Sequence, residues 1–371
     1  MSGSTIEKHS DQIGMPKWDI DTPALLVDVS AMEQNISKMA KFASAKGVSL
    51  RPYIKTHKST ILAQKQLAAG AVGIGCAKLG EAEVMAAAGI NDILIGNQII
   101  GVAKIERLIN LARNTDVIVA VDNRQNVDQL STTAAAKGVK IRIIVELDVG
   151  LHRCGVKPGE AALSLAKYVD TAPGLKFCGF MGYEGHLQHV AEPEERAARV
   201  KEDVGLLVKT AEMAKLAGLR VDIVSASGTV TYKETGKLPG IIEIQPGTYI
   251  FMDSNYYPIM PDFERALTVL ATVVSHPEED YVVIDAGSKA LSTESGMPEI
   301  KDIAGAKLTR VWEEHGKVEL GEPSLRLKIG DKIEIYPSHV CTTVNLYDQY
   351  FAISNDRVEA VWEIDARGKL T

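Results

Sequence analysis

The sequence has few cysteines and no long apolar run. Only four of its 371 residues are cysteines, which are too few and too scattered to form a disulfide framework. No apolar stretch approaches the roughly 20 residues that a transmembrane helix needs, and the N-terminal residues lack the apolar core of a signal peptide. We therefore expect a cytoplasmic protein with reduced thiols and no association with membranes.

The charge is not dominated by one sign. The 41 basic and 48 acidic residues give a net charge of -7, and neither sign runs in blocks, which argues against a nucleic-acid or acidic-membrane binder. With 46% hydrophobic and 24% charged residues, the composition is that of a globular protein and excludes a disordered chain. The length indicates two domains, or one large barrel with an appendage.

One pattern repeats between about residues 48 and 250: a short β-branched run, then an amphipathic helical stretch. Eight such units are the number that closes a TIM-type (β/α)8 barrel, so we predict an α/β fold with that barrel. A doubly wound open sheet would carry a glycine-rich dinucleotide-binding turn after its first strand, and the sequence has none. The runs are 48–54, 73–77, 92–96, 116–121, 141–148, 175–183, 221–225 and 241–245.

The pattern changes after about residue 258. Strand-like runs separated by turns, without a long helix, predict a C-terminal β-rich domain. An earlier run at 24–29 does not fit the count of eight. We therefore expect an N-terminal segment (1–29) packed with the β domain, a barrel (30–258) and the β-rich domain itself (259–371).

Polar residues gather where several of the predicted barrel strands end. In a TIM-type barrel the chemistry lies at the carboxyl ends of the strands. Taken singly, each polar segment could be a solvated loop. Because all five lie at the same end of the predicted barrel, together they predict an active site. The segments are 51–58, 146–156, 182–189, 225–230 and 245–256.

Lys55 closes the otherwise apolar first barrel strand. A lysine partly desolvated there is a usable amine nucleophile, as a Schiff base with an aldehyde cofactor requires, whereas the alternative is a surface lysine. Gly228, Thr229, Gly247 and Thr248 supply backbone N–H groups where barrels commonly hold a phosphate. A lysine opposite a phosphate site predicts pyridoxal 5′-phosphate as the cofactor.

Four motifs resemble a known enzyme family. They are RPYIKTHK (51–58), DVGLHRCGV (148–156), GTYIFMDSNY (247–256) and PSHVCTTVNLYD (337–348). With them the chain resembles, from residue 21 to 368, the D-threonine aldolase and D-serine dehydratase family of fold-type III pyridoxal-phosphate enzymes. The resemblance implies an alanine-racemase-like fold, a small-molecule substrate and a homodimer with its site near the subunit interface.

The resemblance also implies roles for individual residues. Lys55 is the Schiff-base lysine, Arg153 lies against the cofactor ring and His189 is an acid/base. Tyr53 stands where the family often has histidine, so the role of this position is open. The roles of His57 and His315 are open as well. The residues implied for the phosphate are Gly228, Thr229, Gly247, Thr248 and Tyr249.

His339 and Cys341 form a two-residue metal-ligand pattern. On a strand-like segment they would point to the same face, and both side chains bind borderline-soft cations. Two ligands alone are a weak motif, but the resemblance implies a divalent metal held by this histidine and the residue two positions on. The thiol favours zinc over manganese or magnesium.

The resemblance implies a metal-assisted lyase that acts on D-3-hydroxy amino acids. A D-threonine aldolase gives glycine and an aldehyde, and segment 247–256 and His189 favour this reaction. The alternative is a zinc-dependent dehydratase of D-serine or D-threo-3-hydroxyaspartate, which Cys341 favours. Two further alternatives are an amino-acid racemase, which needs no metal, and a non-catalytic pyridoxal-phosphate-binding protein.

Overall fold

The computed structural model describes residues 11–321 and 327–371. By internal contacts the chain forms two units. The barrel unit contains Ser37–Lys55, Thr60–Gly247 and Gly368–Thr371. The sheet unit contains the described residues up to Ile36, Thr56–Ser59 and the described part of Thr248–Arg367.

The strands and helices follow in chain order. The first nine strands are β1 (Ala24–Asp28), β2 (Ser49–Leu50), β3 (Ile74–Cys76), β4 (Ile93–Ile95), β5 (Val117–Val121), β6 (Ile141–Glu146), β7 (Leu175–Met181), β8 (Ile223–Ala226) and β9 (Glu243–Ile244). The other described strands are β10 (Leu267–Glu278), β11 (Tyr281–Ile284), β12 (Glu299–Ile300), β13 (Ala306–Val311), β14 (Gly316–Leu320), β15 (Lys332–Tyr336), β16 (Gln349–Ser354) and β17 (Arg357–Glu363). The described α-helices are α1 (Val29–Lys46), α2 (Thr60–Ala68), α3 (Leu79–Ala87), α4 (Val102–Leu111), α5 (Arg124–Ala136), α6 (Glu160–Thr171), α7 (Pro193–Leu216), α8 (Tyr232–Thr235) and α9 (Val340–Val344).

Eight parallel strands form the barrel unit. Their order is β2-β9-β8-β7-β6-β5-β4-β3. Backbone hydrogen bonds from Val72 to Leu50 (2.9 Å) and from Gly75 to Pro52 (2.8 Å) join the two outer strand segments. Seven of the eight predicted runs contain one of these strands, and the run 221–225 covers all of β8 except Ala226, so the predicted fold class is confirmed.

Apolar side chains fill the barrel interior because the strands are rich in β-branched residues that pack well on a pleated surface. Cys178 lies in this core, and burial raises the pKa of its thiol to about 12. The thiol therefore stays protonated at neutral pH. The core residues are Leu94, Ile118, Ala120, Ile144, Cys178, Met181 and Ile223.

A buried ion pair crosses the same barrel. The Arg51 guanidinium donates to the Glu243 carboxylate at 2.8 Å and to that of Asp92 at 3.1 Å. The Ser225 hydroxyl donates to the second Glu243 oxygen at 2.7 Å. Gly73 leaves room for this group, since a Cβ there would lie 2.3 Å from Arg51 Nη1.

The sheet unit is a mixed sheet with an N-terminal strand at its centre. Its main path runs β13-β14-β11-β10-β1-β16-β17, with β15 paired to β10 and β12 to β15. Strand β1 pairs antiparallel with β10 and parallel with β16. None of the described helices is both long and apolar enough to cross a membrane.

Candidate active site

Lys55 lies just after β2, in a short 3-10 turn (Ile54–Thr56). Its side chain is exposed although the preceding Ile54 is fully buried. Its ammonium Nζ lies 5.8 Å from the centre of the Tyr53 ring. The carboxyl end of β2 therefore presents an amine beside an aromatic ring.

The ring of Tyr53 fills the adjoining space. A Cβ on Gly75 would lie 2.5 Å from the ring, and one on Gly96 would lie 2.2 Å from the phenol oxygen. Burial, with the negative charge of Glu81 nearby, raises the pKa of Tyr53 well above its usual range. The phenol is therefore neutral and keeps its proton for hydrogen bonding.

Arg153 lies in the loop after β6. Asp148 orders this loop by accepting the N–H groups of Gly150 (3.0 Å) and His152 (2.9 Å). Burial raises the pKa of Glu146, whereas the positive charge of Arg153 acts to lower the pKa of both Glu146 and Tyr53. Arg153 and Lys55 therefore share Tyr53 as a neighbour within the barrel unit.

Gly228 and Thr229 belong to the turn that follows β8, residues 227–231, which we call the β8 turn. Ser227 has a φ of 87°, in the left-handed region. The turn is bonded to Glu184 and Gln188 in the loop after β7. Neither side chain was among the predicted site residues, because a Glu and a Gln in a glycine-containing loop resemble solvated residues.

His189 follows a 3-10 turn (Gly185–Leu187) and is exposed. The histidine three positions earlier, His186, is bonded through Nε2 to Asp203 at 2.8 Å. The acid/base role of His189 stays a prediction.

The segment after β9 belongs to two units. Gly247 ends the barrel unit, whereas Thr248 and Tyr249 begin the sheet unit in a 3-10 turn. The Tyr249 side chain is fully buried, with its ring centre 5.7 Å from that of Phe263.

The metal-ligand pair lies in the sheet unit, but not on a strand. The expectation of a strand-like segment was wrong: His339 is the N-cap residue of α9, and Cys341 lies in its first turn. The two side chains nevertheless interact. Burial lowers the pKa of His339, but hydrogen bonding to Cys341 and the negative charges nearby raise it to about 9.

The surroundings of this pair contain further polar groups. His339 Nδ1 contacts the Glu294 carboxylate and lies 3.3 Å from the Ser295 hydroxyl. The Cys341 thiol donates to the hydroxyl of Thr56 at 3.4 Å, and Thr56 follows Lys55 in the sequence. Among the residues that the structure describes, no group of three or more His, Cys, Asp or Glu side chains has metal-binding geometry.

Comparison with known proteins gives two family matches. The model of the alanine racemase N-terminal domain matches residues 27–255. The model of a putative serine dehydratase domain matches residues 266–353.

Similar proteins include two named aldolases. D-threonine aldolase from Arthrobacter sp. is 38% identical over 361 residues, which cover 96% of this chain and 95% of the relative. 3-Hydroxy-D-aspartate aldolase from Paracoccus denitrificans (strain Pd 1222) is 37% identical over 367 residues, which cover 96% of this chain and 94% of the relative. The crystal structure of D-threonine aldolase from Filomicrobium marinum is 39% identical, with a TM-score of 0.95 over 97% of this chain and 98% of that chain.

Dehydratases are similar at lower identity. D-threo-3-hydroxyaspartate dehydratase from Delftia sp. (strain HT23) is 29% identical, with 93% of this chain and 97% of the relative covered. A cysteine-to-alanine mutant of a D-threo-3-hydroxyaspartate dehydratase, solved in the metal-free form, is 28% identical, with a TM-score of 0.84 over 94% and 98% of the two chains.

Proposed function

The chain belongs to the family of the D-threonine aldolases and D-serine dehydratases, and on this premise we propose that it is a lyase that cleaves D-3-hydroxy amino acids to glycine and an aldehyde. The observation that carries this proposal is the amine of Lys55 at the carboxyl end of β2, beside Tyr53. The choice of aldolase rests on identity, which is 38% to a D-threonine aldolase and 29% to a dehydratase.

Pyridoxal 5′-phosphate is the proposed cofactor, because the residues of the barrel unit fit it. Lys55 offers the amine to which it would bond, and Arg153 offers a cation for its ring oxygen. The β8 turn, with Gly228 and Thr229, and the backbone of residues 247–249 would hold the phosphate. When bound, this cofactor supplies the sink for the electron pair released at Cα.

The chain's own residues would move the protons. In the aldolase reaction His189 accepts the proton of the substrate β-hydroxyl as the Cα–Cβ bond breaks. In the dehydratase reaction Lys55 instead removes the α-proton, and the hydroxyl leaves as water. The two reactions differ in the residue that acts as the base and in the proton that it removes.

His339 and Cys341 are proposed to hold a divalent metal. A bound metal would act as a Lewis acid on the substrate hydroxyl. Both side chains must lose a proton to bind it, and the thiolate favours zinc over manganese or magnesium. Cys341 is also the observation that favours the second candidate function, a zinc-dependent dehydratase of D-serine or D-threo-3-hydroxyaspartate.

Product analysis tests the proposal. The purified protein is incubated with D-threonine, pyridoxal 5′-phosphate and zinc or manganese, next to a chelated sample and a Lys55→Ala variant. We expect glycine and acetaldehyde, lost on chelation and reduced at least about a thousandfold in the variant. Lys209→Ala, on the exposed surface of α7, is the matched control.

Other products would contradict the aldolase. 2-Oxobutyrate and ammonia would establish the dehydratase, and L-allo-threonine, the product of inversion at Cα alone, would indicate a racemase. Full activity of Lys55→Ala would contradict the whole proposal.

The proposed assembly is a homodimer, as the family resemblance implies. Light scattering of the purified protein measures its mass, and the mass of a single chain would contradict this expectation.

A further inference from the structure

A buried carboxylate lies beneath the β8 turn. Glu184 has no exposed surface and accepts three hydrogen bonds. The donors are the hydroxyls of Thr231 (2.7 Å) and Thr235 (2.6 Å) and the backbone N–H of Ser227 (3.0 Å). Burial raises the pKa of Glu184 above its usual value, although these donors act to lower it. An ionised carboxylate can accept hydrogen bonds but cannot donate them, and the groups around Glu184 are donors.

The hydrogen bonds of this cluster have one possible direction. The Thr231 hydroxyl oxygen already accepts the N–H of Gly228 (3.1 Å) and Nε2 of Gln188 (3.0 Å). Its own proton must therefore go to Glu184, which is the terminal acceptor. Gln188 Oε1 accepts the N–H of Val230 at 2.9 Å. Glu184 and Gln188 together hold three backbone N–H groups of the turn, two of them directly and the third through Thr231.

The conformation of the turn depends on these contacts. Ser227 is a non-glycine residue at a φ of 87°, which costs energy, and its N–H is bonded to Glu184. Gln188 packs directly against Gly228, since a Cβ there would lie 2.5 Å from Gln188 Oε1. Loss of the acceptor would release the turn toward more favourable backbone angles.

We infer that Glu184 and Gln188 are positioning residues for the cofactor phosphate: they hold the β8 turn in the conformation that presents Gly228 and Thr229. This inference rests on the proposed function, which assigns the turn to the phosphate. Neither residue takes part in bond breaking. Their effect is on the affinity for the phosphate group and not on the reaction of Lys55.

Thr231 and Thr235 form a matched pair for the test. Both are fully buried, and both donate to the same Glu184 oxygen. Of the two, Thr231 is the one that receives the N–H of Gly228 and the amide of Gln188. Valine at either position removes one hydroxyl and keeps nearly the same side-chain volume. Thr231→Val should lose more stability than Thr235→Val, because it also leaves the N–H of Gly228 and the amide of Gln188 without this acceptor.

The experiment measures binding of pyridoxal 5′-phosphate and of pyridoxal, which lacks the phosphate, to the cofactor-free full-length protein. Fluorescence titration gives both Kd values, and thermal unfolding reports stability. For Thr231→Val and Glu184→Gln we expect the Kd of pyridoxal 5′-phosphate to rise at least about tenfold, with that of pyridoxal within about twofold of wild type. Thr235→Val should stay near wild type for both ligands.

Glu81→Gln is a control for the loss of a buried carboxylate that accepts backbone N–H groups. Glu81 is buried in the barrel unit, where it accepts the N–H of Ala77 at 2.7 Å and that of Lys78 at 3.1 Å. In Glu81→Gln the ratio of the Kd of pyridoxal 5′-phosphate to the Kd of pyridoxal should equal that of wild type.

Each remaining outcome is decisive. If the Kd of pyridoxal 5′-phosphate changes equally in Thr231→Val and Thr235→Val, the inference is overturned and the proposed function stays intact. The same holds if the variants bind pyridoxal 5′-phosphate and pyridoxal more weakly by the same factor. A raised ratio of the Kd of pyridoxal 5′-phosphate to the Kd of pyridoxal in Glu81→Gln would do the same. A wild-type protein that binds neither ligand would overturn the proposed function and the inference with it. If Glu184→Gln does not fold, the two threonine variants decide.

Discussion

Two glycines make room for one tyrosine at the mouth of the barrel. Gly75 lies in β3 and Gly96 follows β4, and the Tyr53 ring occupies the space of both missing side chains. The phenol is thereby held between two strands next to Lys55. The position of the Tyr53 ring therefore requires the two glycines as well as the tyrosine.

Gly96→Ala is expected to lower the free energy of unfolding by about 1–3 kcal/mol, since the new Cβ overlaps the Tyr53 phenol. Urea denaturation measures the loss. In a Tyr53→Phe background the same change should cost less, because the oxygen that lies 2.2 Å from the Cβ is absent. Equal losses in the two backgrounds would show that the phenol is not the obstacle.

The sequence predicts residues whose chemistry is unusual for their position, and it misses residues defined by burial. Lys55 is recognisable because it ends an otherwise apolar run of the sequence, although the structure places it in a 3-10 turn after β2. Glu184 is not, since a carboxylate in a loop is normally solvated. Its burial arises from Thr231 and Thr235, which lie more than 40 positions away in the sequence.

Two ion pairs connect elements of the barrel unit, but their burial differs. In the barrel unit Arg51 and Glu243 connect the segments of β2 and β9, and both side chains are only 3% exposed. In the same unit Arg107 and Glu83 connect α4 and α3, and both are 36% exposed. The energetic consequences of breaking the two pairs should differ accordingly.

Glu243→Gln is expected to cost about 1–3 kcal/mol, because the buried Arg51 charge loses one of its two carboxylate partners and keeps Asp92. Glu83→Gln, the exposed control, should cost about 0–1 kcal/mol. Chemical denaturation of both variants tests the contrast. Similar losses would mean that burial does not govern the strength of these pairs.

Glu334 on β15 makes the sheet unit sensitive to acid. Burial raises its pKa, but hydrogen bonds from Lys17 (2.8 Å) and Lys301 (3.0 Å) lower it below the ordinary 4.5. A carboxyl with a lowered folded-state pKa stabilises the fold fully above the unfolded value and loses that contribution as the pH falls through the folded value.

Glu334→Gln should therefore be less stable than wild type at pH 7, by about 1–3 kcal/mol. The difference should shrink once the pH falls below about 4.5. Thermal unfolding of both proteins between pH 7 and pH 3 measures this difference in stability. A difference that stays constant over this range would contradict the assignment of acid sensitivity to Glu334.

Long repeated patterns are predictable from the sequence, whereas short elements are not. The eight barrel runs each overlap a strand because β-branched runs alternate with helical stretches over about 200 residues. Helix α9 has five residues, too few for a helical period to be visible, so its first turn was expected to be extended. The pairing of His339 with Cys341 survives because the N-cap residue and the first helical turn lie close together.

At the scale of the whole molecule, the residues proposed for the cofactor and for the metal are contributed by different parts of the chain. Lys55, Arg153 and the β8 turn belong to the barrel unit, whereas His339 and Cys341 belong to the sheet unit. A metal bound by two side chains keeps coordination positions open, which is typical of catalytic and not of structural sites.

Removal of the metal should therefore lower activity and stability together. Zinc at 100 times its Kd would add about 2.7 kcal/mol to the free energy of unfolding, and a chelator should remove this contribution. Calorimetry with and without zinc measures the change in Tm. In His339→Ala the chelator should leave the Tm unchanged, and the same shift in that variant would exclude this histidine as a ligand.

The central position of β1 has a consequence for biosynthesis. Ala24 pairs with Leu270, and Leu26 pairs with Phe351, so the strand is translated long before either partner. At about 5–20 residues per second, β1 waits roughly 10–50 s for β10 to leave the ribosome. The eight barrel strands are all made within that interval. A nascent chain thus carries an unpaired apolar strand throughout barrel synthesis, and this strand is the segment that a ribosome-associated chaperone has most reason to cover.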